Sequence, residues 1–304
     1  MTQTSRRNFL TGCGLALAGS AAALPAAAAA TGFRYCLNTA TLQGYKLDLV
    51  PTLEIAAKAG YQSVEPWLSA IDAYVKSGGS LSDLRKRIAD WGLTVESAIA
   101  FPQWIVDDPA KRASGLEQVR RDMDTVAQIG GKRIAAPPAG ATTGAEIGLA
   151  QIAERYRAVL EVGDRMGVVA ELEIWGGSVN LHRLDQAVFV AMQTGHPKAC
   201  VLPDIFHLYK GGSGFEGLRM LSGEAVQVLH MNDYPANPPR ETIADRDRVY
   251  PGDGTAPMKQ ILAEMKRMNP AMVLSLELFN PAYWKGDPLE TAKTGLAKMN
   301  RYSS

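Results

Sequence analysis

The feature that most constrains the fold is the regular alternation of short apolar segments with longer amphipathic segments through residues 33–300. The apolar segments favour strands, and the amphipathic ones have the spacing of helices. The predicted strands cover residues 33–38, 63–67, 94–100, 133–136, 168–174, 199–203, 226–232 and 272–278. Strands separated by helices pair in parallel. Eight such units predict an α/β fold of the (β/α)8 TIM-barrel type as a single domain.

Helix boundaries support the same fold. The predicted helices cover residues 47–59, 81–91, 114–129, 145–166, 182–194, 215–222, 257–268 and 287–300. Gly60, Gly92 and Gly167 each stand where a helix would end before a strand. A doubly wound open sheet is the alternative, but no glycine-rich phosphate-binding motif follows the first strand. We therefore expect one barrel domain over residues 31–304.

The first thirty residues have a different composition, which predicts a signal peptide over residues 1–30. Residues 5–10 read Ser-Arg-Arg-Asn-Phe-Leu and resemble the twin-arginine export signal. An apolar run over 9–24 and small residues at 26–28 complete the pattern of a cleavable signal. An ordinary Sec signal or a membrane anchor is the alternative. The prediction is export to the periplasm by the twin-arginine machinery, without stable membrane insertion after cleavage.

Charge and cysteine content exclude two classes of protein. The formal net charge is +1, so the chain lacks the basic footprint of a nucleic-acid-binding protein. Its 3 cysteines cannot form a disulfide framework. Nucleic acid is therefore not expected as a partner.

Four consecutive predicted strands end in an acid or an imidazole. These residues are Glu173, Asp204, His230 and Glu277. The C-terminal strand ends of a barrel meet at one face, so the four side chains should lie together. Unpaired buried carboxylates cost several kcal/mol each, which predicts a cation between them. Oxygen ligands with one nitrogen suit a divalent metal, with manganese favoured and cobalt, magnesium or zinc as alternatives. Pairing with arginine and lysine is the competing interpretation.

Glu171 lies two residues before Glu173, so it faces the same side of its strand one layer deeper. We interpret Glu171 as a structural acid that pairs with Lys132 or Arg133.

The strand-end motifs resemble those of the xylose isomerase-like TIM barrels, the sugar phosphate isomerase/epimerase group, over nearly the whole of residues 33–300. The most specific segments are 202–207, 230–233, 251–254 and 274–277. The resemblance implies that Glu173, Asp204, His230 and Glu277 bind the metal. It also implies catalytic roles for Glu173 and Glu277 on opposite faces of a keto-sugar. One would remove a proton beside the carbonyl, giving a metal-bound enediolate, and the other would return a proton.

Further polar residues near the strand ends are candidates for the substrate. His207 has the position of a substrate-binding histidine, and Arg248 could hold a substrate oxygen. Glu65 could accept a hydroxyl group. Asp233 is interpreted as a residue that orients its neighbours or caps a loop. A histidine bonded to the backbone and a solvated loop arginine are the alternatives for the first two.

Three tryptophans follow predicted strands, and flat aromatic rings at a barrel mouth suit stacking on a sugar. Trp67 and Trp175 are the candidates for substrate binding, and Trp104 is considered with them. Packing in the core or at the rim is the alternative.

Three functions remain open at this point. The first is a metal-dependent sugar isomerase or epimerase that acts by proton transfer. The second is a lyase or dehydratase acting on a keto-sugar, keto-glycoside or inosose. The third is a non-catalytic sugar-binding barrel. Endonuclease IV, a DNA-repair member of the group, is disfavoured because the strands ending near Glu65 and Ala100 lack its histidines. The resemblance also suggests a homodimer.

Overall fold

The computed structural model describes residues 32–303, so the expected signal peptide lies outside the described residues. The described chain contains eight strands, all at positions where strands were predicted. They are β1 (Arg34–Asn38), β2 (Ser63–Glu65), β3 (Thr94–Val95), β4 (Arg133–Ala136), β5 (Val169–Glu173), β6 (Val201–Leu202), β7 (Val228–Met231) and β8 (Val273–Leu276).

Helices connect these strands. The α-helices of the described chain are α1 (Leu49–Ala59), α2 (Leu68–Lys76), α3 (Leu81–Asp90), α4 (Pro109–Gln128), α5 (Leu149–Met166), α6 (Leu184–Gln193), α7 (Ile205–Lys210), α8 (Met258–Met268) and α9 (Pro288–Ser303). Short 3-10 helices occupy Thr39–Tyr45, Phe215–Met220, Asp245–Asp247 and Tyr283–Lys285. None of the described helices combines the length and apolarity that crossing a membrane requires.

All strand pairs are parallel, and they form two sheets in the orders β3-β2-β1-β8-β7 and β4-β5-β6. Two seams join the sheets. Parallel bridges pair Asp204 with His230 and Val201 with Val226 between β6 and β7. The Ala135 N–H donates to the Ala98 carbonyl at 2.9 Å on the other side. The strands therefore close into the predicted (β/α)8 barrel.

The predicted pattern missed α2 and α7 and placed the 215–222 helix where a short 3-10 helix lies. Helix α7 begins immediately after a strand end, without the polar linker that usually separates such elements. Asp204 explains this start, because its carboxylate accepts the N–H of His207 at 2.7 Å and caps the helix. A residue interpreted only as a metal ligand thus also begins a helix.

Alternation along the strands separates two apolar layers. On β5, Ala170 and Leu172 pack in the large core between strands and helices, whereas Glu171 and Glu173 face the barrel interior. Small apolar residues fill part of that interior, including Cys36 and Leu202. The inward face of each strand therefore delivers its last side chain to the C-terminal mouth of the barrel.

Candidate active site and metal centre

The four predicted strand-end residues meet at the mouth of the barrel. Glu173 ends β5, Asp204 follows β6, His230 lies in β7 and Glu277 follows β8, and all four are buried. One potential ligand atom each from Asp204, His230 and Glu277 lies within 4.8 Å of the others. The barrel thus assembles the cluster that the strand pattern predicted.

His230 stands at the centre of this cluster. Its Nδ1 lies 3.5 Å from Glu277 Oε2, 3.6 Å from Glu173 Oε1 and 3.8 Å from Asp204 Oδ2. Within residues 32–303, neither His230 Nδ1 nor Glu173 Oε2 has a hydrogen-bond partner, although both atoms are buried. Unpartnered buried polar atoms are costly. Three carboxylates and one imidazole around such atoms fit a divalent cation.

Arg248 enters the cluster from the loop between β7 and α8. Its Nη1 contacts Asp204 Oδ2 at 2.7 Å and Glu277 Oε2 at 3.0 Å, and its guanidinium group is buried. Asp245 holds the other side of the guanidinium at 2.6 Å. The alternative predicted for the acids, pairing with arginine, is therefore present alongside the metal-type cluster. The structure places Arg248 against the candidate metal ligands as well as in the wall of the cavity.

Burial dominates the acid–base properties of the two candidate catalytic carboxylates. It raises the pKa of Glu173 to about 8 and that of Glu277 to about 7, although the charge of His230 opposes both shifts. Burial also disfavours the ionised form of Asp204, but the positive charge of Arg248 and smaller contributions, including the hydrogen bond from the His207 N–H, together outweigh it and lower the pKa of that carboxyl. Glu173 and Glu277 can therefore exchange protons near neutral pH.

Burial lowers the pKa of His207 to about 4, so this side chain is neutral at physiological pH. Its Nε2 lies 3.0 Å from Arg248 Nη2 and accepts a hydrogen bond from it. Nδ1 must then carry the proton, because a neutral imidazole has one donor and one acceptor nitrogen. His207 lines the cavity, and its buried Nδ1 has no partner in the described chain.

Glu65 lies beneath the cluster rather than in the cavity. It is fully buried, and its carboxylate contacts His230 Nε2 at 3.1 Å. Ser275 Oγ and Asn38 Nδ2 donate to Glu65 Oε2 at 2.7 Å and 3.0 Å. The expected contact with a substrate hydroxyl group does not fit this position, because protein groups already occupy the carboxylate.

Asn38 is a site residue that the sequence interpretation missed. Its Nδ2 donates to Glu277 Oε1 at 3.0 Å as well as to Glu65. Its Oδ1 accepts from Trp67 Nε1 at 3.1 Å. Asn38 is the polar residue that ends β1, so the strand-end argument would have found it had it been applied to the first strand.

A cavity of about 500 Å³ opens above the cluster. Glu173, Glu277, His207 and Arg248 line its polar part. Five aromatic residues also line the cavity, namely Trp67, Phe101, Trp175, Phe206 and Phe279. This volume is typical of sites that bury a small ligand.

The five aromatic residues that line the cavity, here called the aromatic wall, include three whose rings contact one another in sequence. Ring centroids of Trp67 and Phe101 are 5.1 Å apart, and those of Phe101 and Trp175 are 5.8 Å apart. Trp67 and Trp175 thus lie where substrate-stacking residues were expected. Trp104 does not, because it is buried in the core and donates to the Pro137 carbonyl at 2.8 Å.

Asp233 folds the loop that carries Arg248. Its carboxylate accepts backbone N–H groups from Tyr234, Gly252, Gly254 and Ala256 at 2.7–3.1 Å. Its own backbone exchanges two hydrogen bonds with Val249, at 3.0 Å and 2.9 Å. Of the two roles predicted for Asp233, these bonds correspond to capping a loop. A role in orienting the cluster is indirect, through the segment next to Arg248.

Glu171 lies one layer below Glu173, as expected. The nearest cation is Arg133, whose Nε is 3.9 Å from Glu171 Oε1, while Lys132 is exposed. Both carboxylate oxygens lack hydrogen-bond partners among the described residues. Burial raises the pKa of Glu171 to about 8.

Comparison with known proteins identifies the family. The family described as "Xylose isomerase-like TIM barrel" matches residues 53–302, most of the chain. The chain belongs to this family. A crystal structure described as the IolI protein with a bound zinc atom superposes with a TM-score of 0.82. It is 24% identical, and the alignment covers 90% of this chain and 100% of that one.

Two curated relatives cover most of this chain. An inosose isomerase of Bacillus velezensis is 26% identical over 267 residues, which are 86% of this chain and 94% of the relative. A 3-dehydroshikimate dehydratase of Pseudomonas putida is 24% identical over 267 residues, 86% of this chain but 40% of that protein. Family and relatives together support an enzyme of the metal-dependent isomerase or dehydratase type.

Proposed function

We propose that the protein is a divalent-metal-dependent sugar isomerase or epimerase that moves a proton beside the carbonyl of a keto-sugar. The observation that carries this proposal is the position of Glu173 and Glu277. Both line the cavity, both approach His230 Nδ1 within 3.6 Å, and Glu173 ends β5 whereas Glu277 follows β8. Two separate carboxylates in one cavity suit removal and return of a proton.

The residues that would hold the metal are Glu173, Asp204, His230 and Glu277. When bound, a divalent ion acts as a Lewis acid that polarises the substrate carbonyl. Manganese remains our favoured ion. Zinc gains support from the zinc atom in the IolI structure.

The chain's own groups carry out the remaining steps. Glu173 or Glu277 takes a proton from the carbon beside the carbonyl, and the other carboxyl group returns one. Raised pKa values suit both tasks, because each group can exist in both protonation states near neutral pH. The neutral His207 lines the cavity, and Arg248 orients its ring by donating to Nε2. The aromatic wall stacks on the sugar and limits access of water.

The substrate is proposed to be an uncharged sugar or cyclic polyol ketone. Two cations line the described cavity, and both are engaged. Arg248 contacts three carboxylates, and Lys210 Nζ donates to the carbonyls of Arg240 and Glu241. The inosose isomerase relative supports a polyol ketone of this kind.

A lyase or dehydratase is the second candidate, and the 3-dehydroshikimate dehydratase relative favours it. The same carboxylate would remove the proton. The other would protonate a leaving group on the next carbon instead of returning the proton to the first carbon. The two reactions therefore require the same residues and differ in product mass.

A deuterium-exchange assay tests both candidates. The metal-loaded protein is incubated in D2O with a panel of ketohexoses, keto-glycosides and inososes, and products are analysed by mass spectrometry. Isomerisation conserves the mass apart from incorporated deuterium, whereas elimination loses a leaving group such as water. Glu173→Gln and Glu277→Gln should abolish exchange, and the exposed Glu241→Gln should match the wild type.

Two negative outcomes have separate meanings. Sugar binding without exchange or elimination in the loaded wild type would indicate a non-catalytic sugar-binding barrel. A wild type that binds none of manganese, cobalt, magnesium and zinc would indicate that Arg248 and His230 neutralise the acids internally.

We also propose export through the twin-arginine pathway, on the sequence of residues 5–10. Replacing Arg6 and Arg7 with lysine should retain the chain in the cytoplasm, and cell fractionation measures this. A homodimer is tested separately by light scattering of the purified protein.

A further inference from the structure

The carboxylate of Glu65 is bonded on every side by groups of the barrel interior. It comes from the end of β2, opposite Asn38 in the register of β1, and is fully buried. Its oxygens lie 3.1–3.2 Å from His230 Nε2. Ser275 and Asn38 donate to it at 2.7 Å and 3.0 Å. These donors hold the carboxylate in one orientation against the imidazole.

This contact determines which nitrogen of His230 carries a proton. Glu65 Oε2 already accepts hydrogen bonds from Ser275 Oγ and Asn38 Nδ2. The carboxylate therefore presents acceptor lone pairs to the ring, and His230 Nε2 donates to it. The other nitrogen, Nδ1, faces Glu173, Asp204 and Glu277.

The hydrogen bonds around Asn38 and Ser275 support the same orientation. Asn38 Oδ1 accepts from Trp67 Nε1 and from the Ala40 N–H, so its amide NH2 group must point toward Glu65 and Glu277. Ser275 lies opposite His230 in the register of β7 and β8. The residues beside Glu65 on neighbouring strands thus fix its carboxylate under the ring.

We propose that Glu65 is a positioning residue that fixes the ring and tautomer of His230 so that Nδ1 is the metal-binding atom. This inference rests on the proposed function, because it requires a divalent metal at the cluster. A carboxylate that accepts the second N–H of a metal-binding histidine orients the ring and raises its basicity. Removing such a partner weakens metal affinity by about 10- to 100-fold.

The test measures metal binding rather than turnover. Calorimetric titration with Zn²⁺ should give a Kd for Glu65→Gln about 10- to 100-fold weaker than that of the wild type. Glu171→Gln is the matched control, since Glu171 is an equally buried inward-facing strand glutamate that forms no hydrogen bond with His230. It should bind Zn²⁺ within about 3-fold of the wild type, below the range expected for a lost partner.

Nuclear magnetic resonance with ¹¹³Cd²⁺ and ¹⁵N-labelled protein identifies the coordinating nitrogen. We expect ¹¹³Cd–¹⁵N coupling to Nδ1 of His230 in the wild type, and its loss or transfer to Nε2 in Glu65→Gln. Ser275→Ala removes one donor to Glu65 and is a milder variant, should Glu65→Gln fail to fold. It should show an intermediate loss of affinity with coupling still at Nδ1.

The outcomes separate this inference from the proposed function. Equal Zn²⁺ affinity in the wild type, Glu65→Gln and Ser275→Ala, or coupling through Nε2 in the wild type, would overturn the role of Glu65 alone. A wild type that binds no metal would overturn both proposals. Metal binding with the expected coupling, but without reaction on any sugar, would overturn the proposed function and leave the role of Glu65 standing.

Discussion

Replacing Asn38 with Asp tests whether one amide holds two carboxylates of the candidate site. Asn38 Nδ2 donates to Glu65 and to Glu277, each at 3.0 Å, and Oδ1 accepts from Trp67 Nε1 and the Ala40 N–H. These partners define the amide orientation, because carboxylates only accept and N–H groups only donate. Asn38→Asp keeps the shape and the accepting oxygen but replaces the donor with a second acceptor.

The expected effect of Asn38→Asp is large. A hydrogen bond to a charged group contributes about 1.5–3 kcal/mol, so losing two lowers the free energy of unfolding by about 3–6 kcal/mol. Repulsion between the new carboxylate and its two neighbours adds to this loss. Since a protein of this kind is stable by about 5–15 kcal/mol, the variant should unfold at a much lower urea concentration.

Urea unfolding followed by tryptophan fluorescence at neutral pH, with EDTA present, measures this effect. Asn280→Asp is the matched control, because Asn280 Nδ2 donates at 3.0 Å to the uncharged Arg248 carbonyl. In that control the free energy of unfolding should fall by about 1 kcal/mol. If Asn38→Asp is no less stable than Asn280→Asp, Asn38 does not hold the carboxylates and the assigned hydrogen bonds are wrong.

Three further predictions address other groups. Arg248→Met leaves Asp204 and Glu277 without their cation, so the free energy of unfolding of the metal-free protein, measured with urea, should fall by about 3–5 kcal/mol. If added Mn²⁺ restores none of this loss, the proposed metal site is wrong. Burial and the charge of Asp72 raise the pKa of Asp122 from 3.8 to about 6 in the folded state. The free energy of unfolding therefore falls as the pH rises from the unfolded pKa to the folded pKa. At pH above about 7, Asp122→Asn should raise the free energy of unfolding by about 1 kcal/mol, a figure that allows for solvent screening. Below about pH 3.5 the substitution should have no effect. A gain in urea unfolding that is equal at both pH values would contradict this sign. Trp175→Ala should weaken sugar binding by roughly 2- to 10-fold through lost stacking, measured by calorimetry, and unchanged binding would exclude the aromatic wall from the site.

The strand-end residues were predictable because each depends on one strand only. An apolar run that ends in an acid or imidazole places that side chain at the barrel mouth, whichever strand lies beside it. Glu173, Asp204, His230 and Glu277 all follow this rule, and the structure brings them together.

The roles of Glu65 and Asn38 depend on pairs of strands, so they could not be assigned from single segments. The register of β1 and β2 sets Asn38 opposite Glu65, and the register of β7 and β8 sets His230 opposite Ser275. Hydrogen bonds between these residues follow from barrel closure. Polarity alone could indicate that Glu65 is functional, but not whether it faces the cavity or another side chain.

The position of Arg248 depends on a loop, which strand and helix periodicity does not describe. The segment between β7 and α8 folds around the carboxylate of Asp233, which binds four backbone N–H groups. Gly254 is required there, because a Cβ atom would lie 2.2 Å from the Tyr234 carbonyl. This local folding brings Arg248 into contact with Asp204.

Arg248 changes the charge balance that the sequence suggested. With His230 neutral and the other three ligand side chains ionised, the cluster carries three negative charges. Arg248 supplies one positive charge at 2.7–3.0 Å, and a divalent ion would supply two. These charges would cancel, and the negative charges of Asp245 and Glu65, which contact Arg248 and His230, would remain. The bottom of the cavity would therefore disfavour an anionic substrate, in agreement with an uncharged one whose hydroxyl and carbonyl oxygens are recognised by hydrogen bonds and whose ring is recognised by the aromatic wall.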